Sequence, residues 1–226
     1  MIAIILAAGR GERMRPLTDK IPKPLLRVGG KPLIVWHVEK LAAAGFSRIV
    51  INHAHLGGMI EETLGDGARF GVNLVYSHET QALETAGGIA NALSLLGDAP
   101  FAAVNADIFS DYDFVQLAHA VERLEQRRFA AHLVMVANPG HHADGDFALQ
   151  DGQVVLDGAR LTFSGIAAYR PAMFSAIARG AAARLAPLLR EGIAAGQVSG
   201  ERYAGRWRDI GTPARLAEIN RELAAT

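Results

Sequence analysis

The chain has 226 residues, of which half are hydrophobic, and its 23 Lys and Arg residues balance 23 Asp and Glu residues. This zero net charge argues against nucleic acid as a partner, and the lack of cysteine excludes disulfides, thiolate nucleophiles and cysteine–zinc sites. No stretch reaches the roughly 18 apolar residues of a membrane span, so we expect a soluble cytoplasmic protein without a membrane partner.

The first half of the chain alternates short apolar runs with segments of helical spacing. Continuous apolar runs are typical of strands buried on both faces, and they predict strands at Ile2–Leu6, Arg48–Ile51, Asn73–Tyr76 and Phe101–Val104. Helical spacing predicts helices over Pro32–Ala44, Leu56–Leu64, Thr85–Leu95 and Phe114–Gln126. This alternation indicates βαβ units and a mainly parallel sheet, and therefore an α/β fold.

The second half has a different pattern, with turn residues between shorter apolar segments. The sequence predicts strands at Ala131–Val136 and Leu161–Tyr169, a hairpin from Phe147–Gln150 and Val154–Leu156, and helices over Ala181–Ala194 and Pro213–Leu223. Nothing marks a linker or a repeat. We therefore predict one domain over residues 1–226, with a first half of residues 1–130 and a smaller α+β half of residues 131–226.

A glycine-rich loop follows the first predicted strand and is a candidate phosphate site. The small residues Ala7, Ala8, Gly9 and Gly11 let backbone N–H groups approach a phosphate closely. The dinucleotide fingerprint is weak, because Met14 holds the third glycine position, and Pro32 stands where a P-loop needs Ser or Thr. Farther along, two prolines flank Lys23 and restrict the backbone around it, which can aim its ammonium at the loop.

The motif Leu-Ala-Ala-Gly-x-Gly-x-Arg-Met-x-Pro-Leu-Thr, followed by Pro-Lys-Pro-Leu, resembles the signature of the nucleoside-diphosphate-sugar pyrophosphorylases, or sugar-1-phosphate nucleotidyltransferases. The resemblance implies a Rossmann-like three-layer αβα fold with a mainly parallel, mixed central sheet. Residues 1–130 would be its nucleotide-binding half and residues 131–226 a small sugar-binding lobe. It also implies that Ala8, Gly9 and Gly11 contact the nucleotide. Arg13 would hold the phosphates that leave, and Lys23 would bind the α-phosphate, both as catalytic cations.

Two aspartates are candidate metal ligands. Asp107 follows the predicted strand Phe101–Val104, and ligand groups of open α/β sheets lie at the carboxyl ends of strands; a capping or turn role is the alternative. Asp209 stands just before a Gly-Thr-Pro turn that would hold it rigidly. The resemblance implies that both bind Mg²⁺, that Asp107 also contacts the nucleotide, and that Asp209 contacts the substrate. Asn105 stands where the family more often has a small residue, so we expect its side chain to reach the substrate.

Residues 78–88 resemble the family's loop around the nucleobase. The resemblance places Glu79 at the base edge and Thr85 in the nucleotide-binding loop. A carboxylate can accept the N3–H of uracil or thymine, or the N–H groups of guanine, so Glu79 leaves the base open. Glu84 stands where the family usually has glycine.

The segment 163–166 and the brevity of the chain resemble a bacterial subgroup of the family. That subgroup transfers a uridylyl group from UTP to N-acetylmuramic acid α-1-phosphate in peptidoglycan recycling. The sugar carries a lactyl carboxylate, which suits arginine; Arg202, Arg206 and Arg208 are the candidates, and we expect Gly165 and Arg202 to bind the substrate.

Two other functions stay open. The first is a guanylyl- or thymidylyltransferase for a hexose 1-phosphate. The second is a non-catalytic regulatory subunit that senses a nucleotide sugar, against which the joint presence of both cations and both aspartates argues. The sequence leaves the oligomeric state open.

Overall fold

The computed structural model describes residues 1–126 and 129–225. Its helices are α1 (Leu33–Ala43), α2 (Gly57–Leu64), α3 (Glu84–Leu96), α4 (Phe114–Gln126), α5 (Leu185–Ala194) and α6 (Pro213–Ala224). Its strands are β1 (Ile2–Leu6), β2 (Arg27–Val28), β3 (Lys31–Pro32), β4 (Arg48–His53), β5 (Asn73–His78), β6 (Phe101–Asn105), β7 (Ile108–Ser110), β8 (Ala131–Val136), β9 (Phe147–Gln150), β10 (Gln153–Val155), β11 (Arg160–Tyr169), β12 (Val198–Arg202) and β13 (Trp207–Asp209). No helix in the described parts is long and apolar enough to cross a membrane.

Nine strands form one mixed sheet in the order β5-β4-β1-β6-β11-β8-β12-β10-β9. Within this sheet the four strands β1, β4, β5 and β6 of the first half are parallel, with β1 between β4 and β6. In the second half β11 runs antiparallel to both β6 and β8, and β9 and β10 form the predicted hairpin. The predicted α/β fold is confirmed, and the second half adds one more parallel pair, β8 with β12, to its antiparallel pairs.

Helices cover both faces of the sheet, which gives the three predicted layers. Successive residues of a strand point to opposite faces, so Ile5 belongs to the apolar cluster under α1, α2 and α4. Its neighbour Ile4 belongs to the cluster under α3 and α5. A third, smaller cluster lies apart from these two and joins the segment after β1 to α6, through Met14, Leu26, Val28, Leu33, Phe109, Ile210 and Ile219.

The predicted helix Ala181–Ala194 was wrong in its first turn, because α5 begins at Leu185. The preceding residues run along the start of α3 instead. The carbonyl of Ala183 accepts hydrogen bonds from the N–H groups of Ala86 and Gly87, and its N–H donates to Leu83. These bonds satisfy backbone groups that a helix start leaves unpaired, and they outweigh the helix propensity of three alanines. The short strands β2, β3, β7, β12 and β13 were not predicted.

Candidate active site

A cavity of about 510 Å³ lies at the carboxyl ends of β1, β4 and β6. Its wall consists of the loop after β1, the residues around Lys23, the ends of β4 and β6, and the start of α3. Because β1 lies between the other two strands, side chains from β4 and from β6 face each other across the loop. Eight of the residues predicted for the site line this cavity: Ala8, Gly9, Gly11, Arg13, Lys23, Thr85, Asn105 and Asp107.

The loop after β1 is held by contacts that require small residues. Gly11 has φ +69°, and a Cβ there would lie 3.0 Å from Thr18 Cγ2 and 3.3 Å from Lys23 Cβ. The Thr18 hydroxyl donates to the carbonyl of Gly11 at 2.8 Å. Glycine at this position therefore lets Lys23 pack directly under the loop. Arg13 lies on the cavity wall, exposed, and makes no ion pair with any described residue.

Lys23 and Asp107 form an ion pair at the cavity. Lys23 Nζ donates to Asp107 Oδ2 at 2.6 Å, with 9% of the lysine side chain and 41% of the aspartate side chain exposed. Lys23 begins a 3₁₀ turn after the extended Pro22, and Leu26 N–H donates to its carbonyl at 3.1 Å. The prolines thus set the backbone so that the lysine points into the cavity, as the sequence predicts.

Asp209 stands beside Asp107 although the two lie far apart in the chain. The strands β7 and β13 pair so that Asp209 faces Ile108, and the N–H of Ile210 donates to the carbonyl of Asp107 at 2.7 Å. Asp209 itself is not on the cavity wall. Its carboxylate accepts from Arg215 Nη1 at 2.9 and 2.7 Å and lies 2.9 Å from Nε2 of His141.

Glu79, which the sequence analysis places at the base edge, is not among the residues that line the cavity. It is 3% exposed; its Oε1 accepts from Asn52 Nδ2 at 2.7 Å and its Oε2 from the Leu83 N–H at 2.9 Å. Asn52 in turn accepts from the N–H of Ala7 at 2.8 Å. Each carboxylate oxygen thus holds a loop in place, so Glu79 positions the cavity wall in this structure.

Asn52 is a site residue that the sequence analysis missed. It lines the cavity at the end of β4 and links the loop after β1 to Glu79. The signal was present, since a polar side chain near the end of a buried strand is the same feature that indicates Asp107.

Glu84 begins α3 with a φ of +61°, the left-handed region that favours glycine. It lies on the cavity wall, exposed, and its carboxylate has no hydrogen-bond partner among the described residues. The resemblance implies glycine at this position, and the backbone of Glu84 has a conformation that glycine adopts readily.

Gly165 and Arg202, which we expected to bind the substrate, are not among the residues that line the cavity. Gly165 has φ +79° in a bulge of β11, and a Cβ there would stand 2.6 Å from Asn105 Nδ2. Its role is therefore to make room for Asn105. Arg202 ends β12 with its side chain exposed, and Arg208 Nη2 lies 3.1 Å from Glu222 Oε1.

The two aspartates could hold a divalent cation only together with a substrate. Within residues 1–126 and 129–225, no group of three His, Asp or Glu residues could hold a metal. Mg²⁺ is usually held by one or two carboxylates while water and substrate phosphates complete its shell. Asp107 on the cavity wall and Asp209 on the strand paired with β7 could supply those two carboxylates.

Comparisons with known proteins agree with this geometry. A family model described as "Nucleotidyl transferase" matches residues 2–145. The chain is 54% identical over 223 residues to the N-acetylmuramate alpha-1-phosphate uridylyltransferase of Neisseria meningitidis, with 96% of each chain covered. It is 34% identical to the protein of the same name from Caulobacter vibrioides, over 96% of this chain and 97% of that one.

A solved protein from Bacillus anthracis, assigned as a glucose-1-phosphate thymidylyltransferase, has the same fold. The TM-score is 0.87 at 22% identity, and the alignment covers 100% of this chain and 96% of that one. The family model covers more than half of the chain, and the two uridylyltransferases align along nearly all of it. This chain belongs to the nucleotidyl transferase family.

Proposed function

We propose that the chain transfers a uridylyl group from UTP to N-acetylmuramic acid α-1-phosphate, giving UDP-N-acetylmuramate and pyrophosphate, in peptidoglycan recycling. The observation that carries this proposal is the identity of 54% and 34% with two N-acetylmuramate alpha-1-phosphate uridylyltransferases over 96% of the chain. Similarity to the Yarrowia lipolytica mannose-1-phosphate guanyltransferase, at 43% identity, is confined to 52% of this chain and 33% of that protein. Whole-chain similarity therefore favours the uridylyl reaction.

The reaction joins a phosphate oxygen of the sugar to the α-phosphorus of the nucleotide while the bond to pyrophosphate breaks. The attacking phosphate is already anionic near neutral pH, so the protein has to supply neither a nucleophile nor a general base. What remains for the protein is to position the two substrates and to neutralise the negative charge that gathers between them.

Lys23 and Arg13 are the cations that we assign to this task. An ammonium has three donors; Asp107 accepts one of them at 2.6 Å, which leaves the others for the α-phosphate. Arg13, unpaired and exposed on the cavity wall, suits the phosphates that leave as pyrophosphate. Backbone groups of Ala8, Gly9, Gly11 and Thr85 would surround the rest of the nucleotide, and Asn105 would face the sugar.

Asp107 and Asp209 are the residues that would hold Mg²⁺, which when bound neutralises charge on phosphate oxygens. The substrates are thus the partners we assign, with neither nucleic acid nor membrane among them. Because UTP is a cytoplasmic nucleotide, the proposal also implies a cytoplasmic reaction.

The test is pyrophosphate release with magnesium. UTP, dTTP, GTP, CTP and ATP are each combined with the 1-phosphates of glucose, N-acetylglucosamine, mannose and N-acetylmuramate. We expect release with UTP and N-acetylmuramate 1-phosphate. Release confined to GTP or dTTP with a hexose 1-phosphate would replace the substrate but keep the reaction. Nucleotide binding without release for any pair would favour a regulatory subunit.

A further inference from the structure

Arg215 is an arginine next to the site with most of its donors unused. It lies in the first turn of α6, where its N–H donates to the capping hydroxyl of Thr212 at 3.3 Å. Its guanidinium contacts Asp209 and His141 Nε2, both through Nη1. Among the described residues nothing accepts from Nη2 or Nε, although only 16% of the side chain is exposed. A guanidinium carries five donors in a rigid fork, so this one still has a free edge.

The free edge lies against the wall of the cavity. Gly211 is part of that wall, and a Cβ on Gly211 would stand 2.3 Å from Arg215 Nη2. Only a residue without a side chain lets the guanidinium approach this closely. The glycine therefore opens a path between Nη2 and a molecule in the cavity.

The charges around Arg215 indicate an anionic ligand. Asp209 is the one carboxylate that the described contacts give to Arg215, and His141 Nε2 lies 2.9 Å from the same carboxylate. Asp209 engages only Nη1 of the guanidinium, so the rest of the fork matches a second carboxylate in two-point geometry. Arg208, the neighbour of Asp209 in the chain, is directed instead to Glu222 at 3.1 Å.

We infer that Arg215 binds the lactyl carboxylate of the sugar through its free edge, with His141 beside it, and so selects an acidic amino sugar over a neutral one. This inference rests on the proposed function, because it assumes that N-acetylmuramate 1-phosphate is the acceptor. It replaces Arg202, Arg206 and Arg208, which the sequence favoured.

The experiment compares N-acetylmuramate 1-phosphate with its lactyl methyl ester, in which a neutral and slightly larger group replaces the carboxylate. We expect the unmodified chain to prefer the acid by about 10- to 100-fold in kcat/KM, the range for a hydrogen bond to a charged group. Arg215→Gln should bring this ratio close to one by raising KM for the acid. Arg215→Lys, which keeps the charge without the fork, should fall between them, and Arg208→Gln should keep the full preference.

Three results would overturn the inference. In the first, the unmodified chain uses acid and ester equally well. In the second, Arg215→Gln slows both equally and also weakens Mn²⁺ binding measured by electron paramagnetic resonance, which would assign Arg215 to holding Asp209. In the third, Arg208→Gln abolishes the preference. Failure of the unmodified chain to use the acid would reject the proposed function itself. The acid-to-ester ratio of the unmodified chain stays decisive even if Arg215→Gln does not fold.

Discussion

Two cation–carboxylate pairs stand side by side in this protein, and the chain builds them in opposite ways. Lys23 and Asp107 are 84 residues apart and meet only when the loop after β1 packs on the end of β6. Asp209 and Arg215 are six residues apart and are joined by one turn and the start of α6. The first pair depends on the tertiary fold, and the second depends mainly on a short local segment.

The difference predicts separate roles for the two cations, one in the rate of the reaction and one in the choice of sugar. A cation that bridges the sheet and the loop is fixed relative to the nucleotide, so Lys23 suits the chemistry common to the whole family. A cation held by its own helix can be exchanged without moving the sheet, so Arg215 suits the choice of sugar. Substitutions should therefore separate rate from specificity.

The largest effect is expected for Lys23→Ala, which should lower kcat at least ~100-fold, the scale of losing one contact to the transition state. Asp107 loses its partner but remains partly exposed, so the fold should survive. Lys20→Ala, on an exposed neighbouring lysine, is the matched control. Pyrophosphate release measures both. A Lys23→Ala enzyme with near-normal kcat would remove the lysine from the mechanism.

Asp209→Asn should also lower kcat at least ~100-fold, and in addition should raise the magnesium concentration needed for half-maximal rate. The amide keeps the shape but loses the negative charge that a divalent cation requires. Asp144→Asn, exposed on the same loop as His141, serves as the control. A rate loss that high magnesium does not relieve, with an unchanged magnesium requirement, would contradict a metal-binding role.

The fold that holds both ion pairs should become less stable in acid because of a buried histidine. His37 is fully buried, makes a backbone hydrogen bond with Ile108 at the start of β7, and burial lowers its pKa from 6.5 to about 4. The fold thus holds the neutral ring, while the unfolded chain takes up a proton below pH 6.5. The free energy of unfolding is therefore highest above pH 6.5. It falls by about 2 kcal/mol between pH 7 and pH 5.

Urea unfolding at the two pH values measures this loss. In His37→Gln the difference between pH 7 and pH 5 should shrink by about the same ~2 kcal/mol. The exposed His119→Gln should leave it unchanged. An equal pH dependence in all three proteins would mean that His37 titrates normally in the fold.

The smallest effect is expected for Glu79→Gln, which replaces one accepting oxygen with a donor between Asn52 and Leu83. Leaving a buried group unsatisfied costs about 1–3 kcal/mol. We expect the free energy of unfolding to fall by that amount and KM for the nucleotide to rise, because Asn52 accepts a hydrogen bond from the Ala7 N–H and so holds the loop after β1. The preference for UTP over GTP should not change. A changed base preference with unchanged stability would restore the original base-reading prediction.

The parts of the molecule that were predictable from sequence are those where neighbours in the chain determine the outcome. Buried parallel strands such as β1 show continuous apolar runs, and Lys23 is directed by the prolines on either side. The burial of Glu79 could not be predicted, because it depends on Asn52 and Leu83, which only the folded chain brings to it. Strand β13 is three residues long and forms because β7 pairs with it. The residues of β13 alone therefore do not indicate a strand.

The small third apolar cluster separates loss of activity from unfolding of the sheet. It is separate from the two clusters that hold the sheet. Each charged residue of the proposed mechanism lies within three positions of one of its members, with Arg13 next to Met14, Lys23 near Leu26, Asp107 near Phe109 and Asp209 next to Ile210. Local opening of this unit would disperse all four charges while the nine-stranded sheet stays intact. Inactivation and unfolding are then separate events, and a catalytically dead population can keep a native-like sheet.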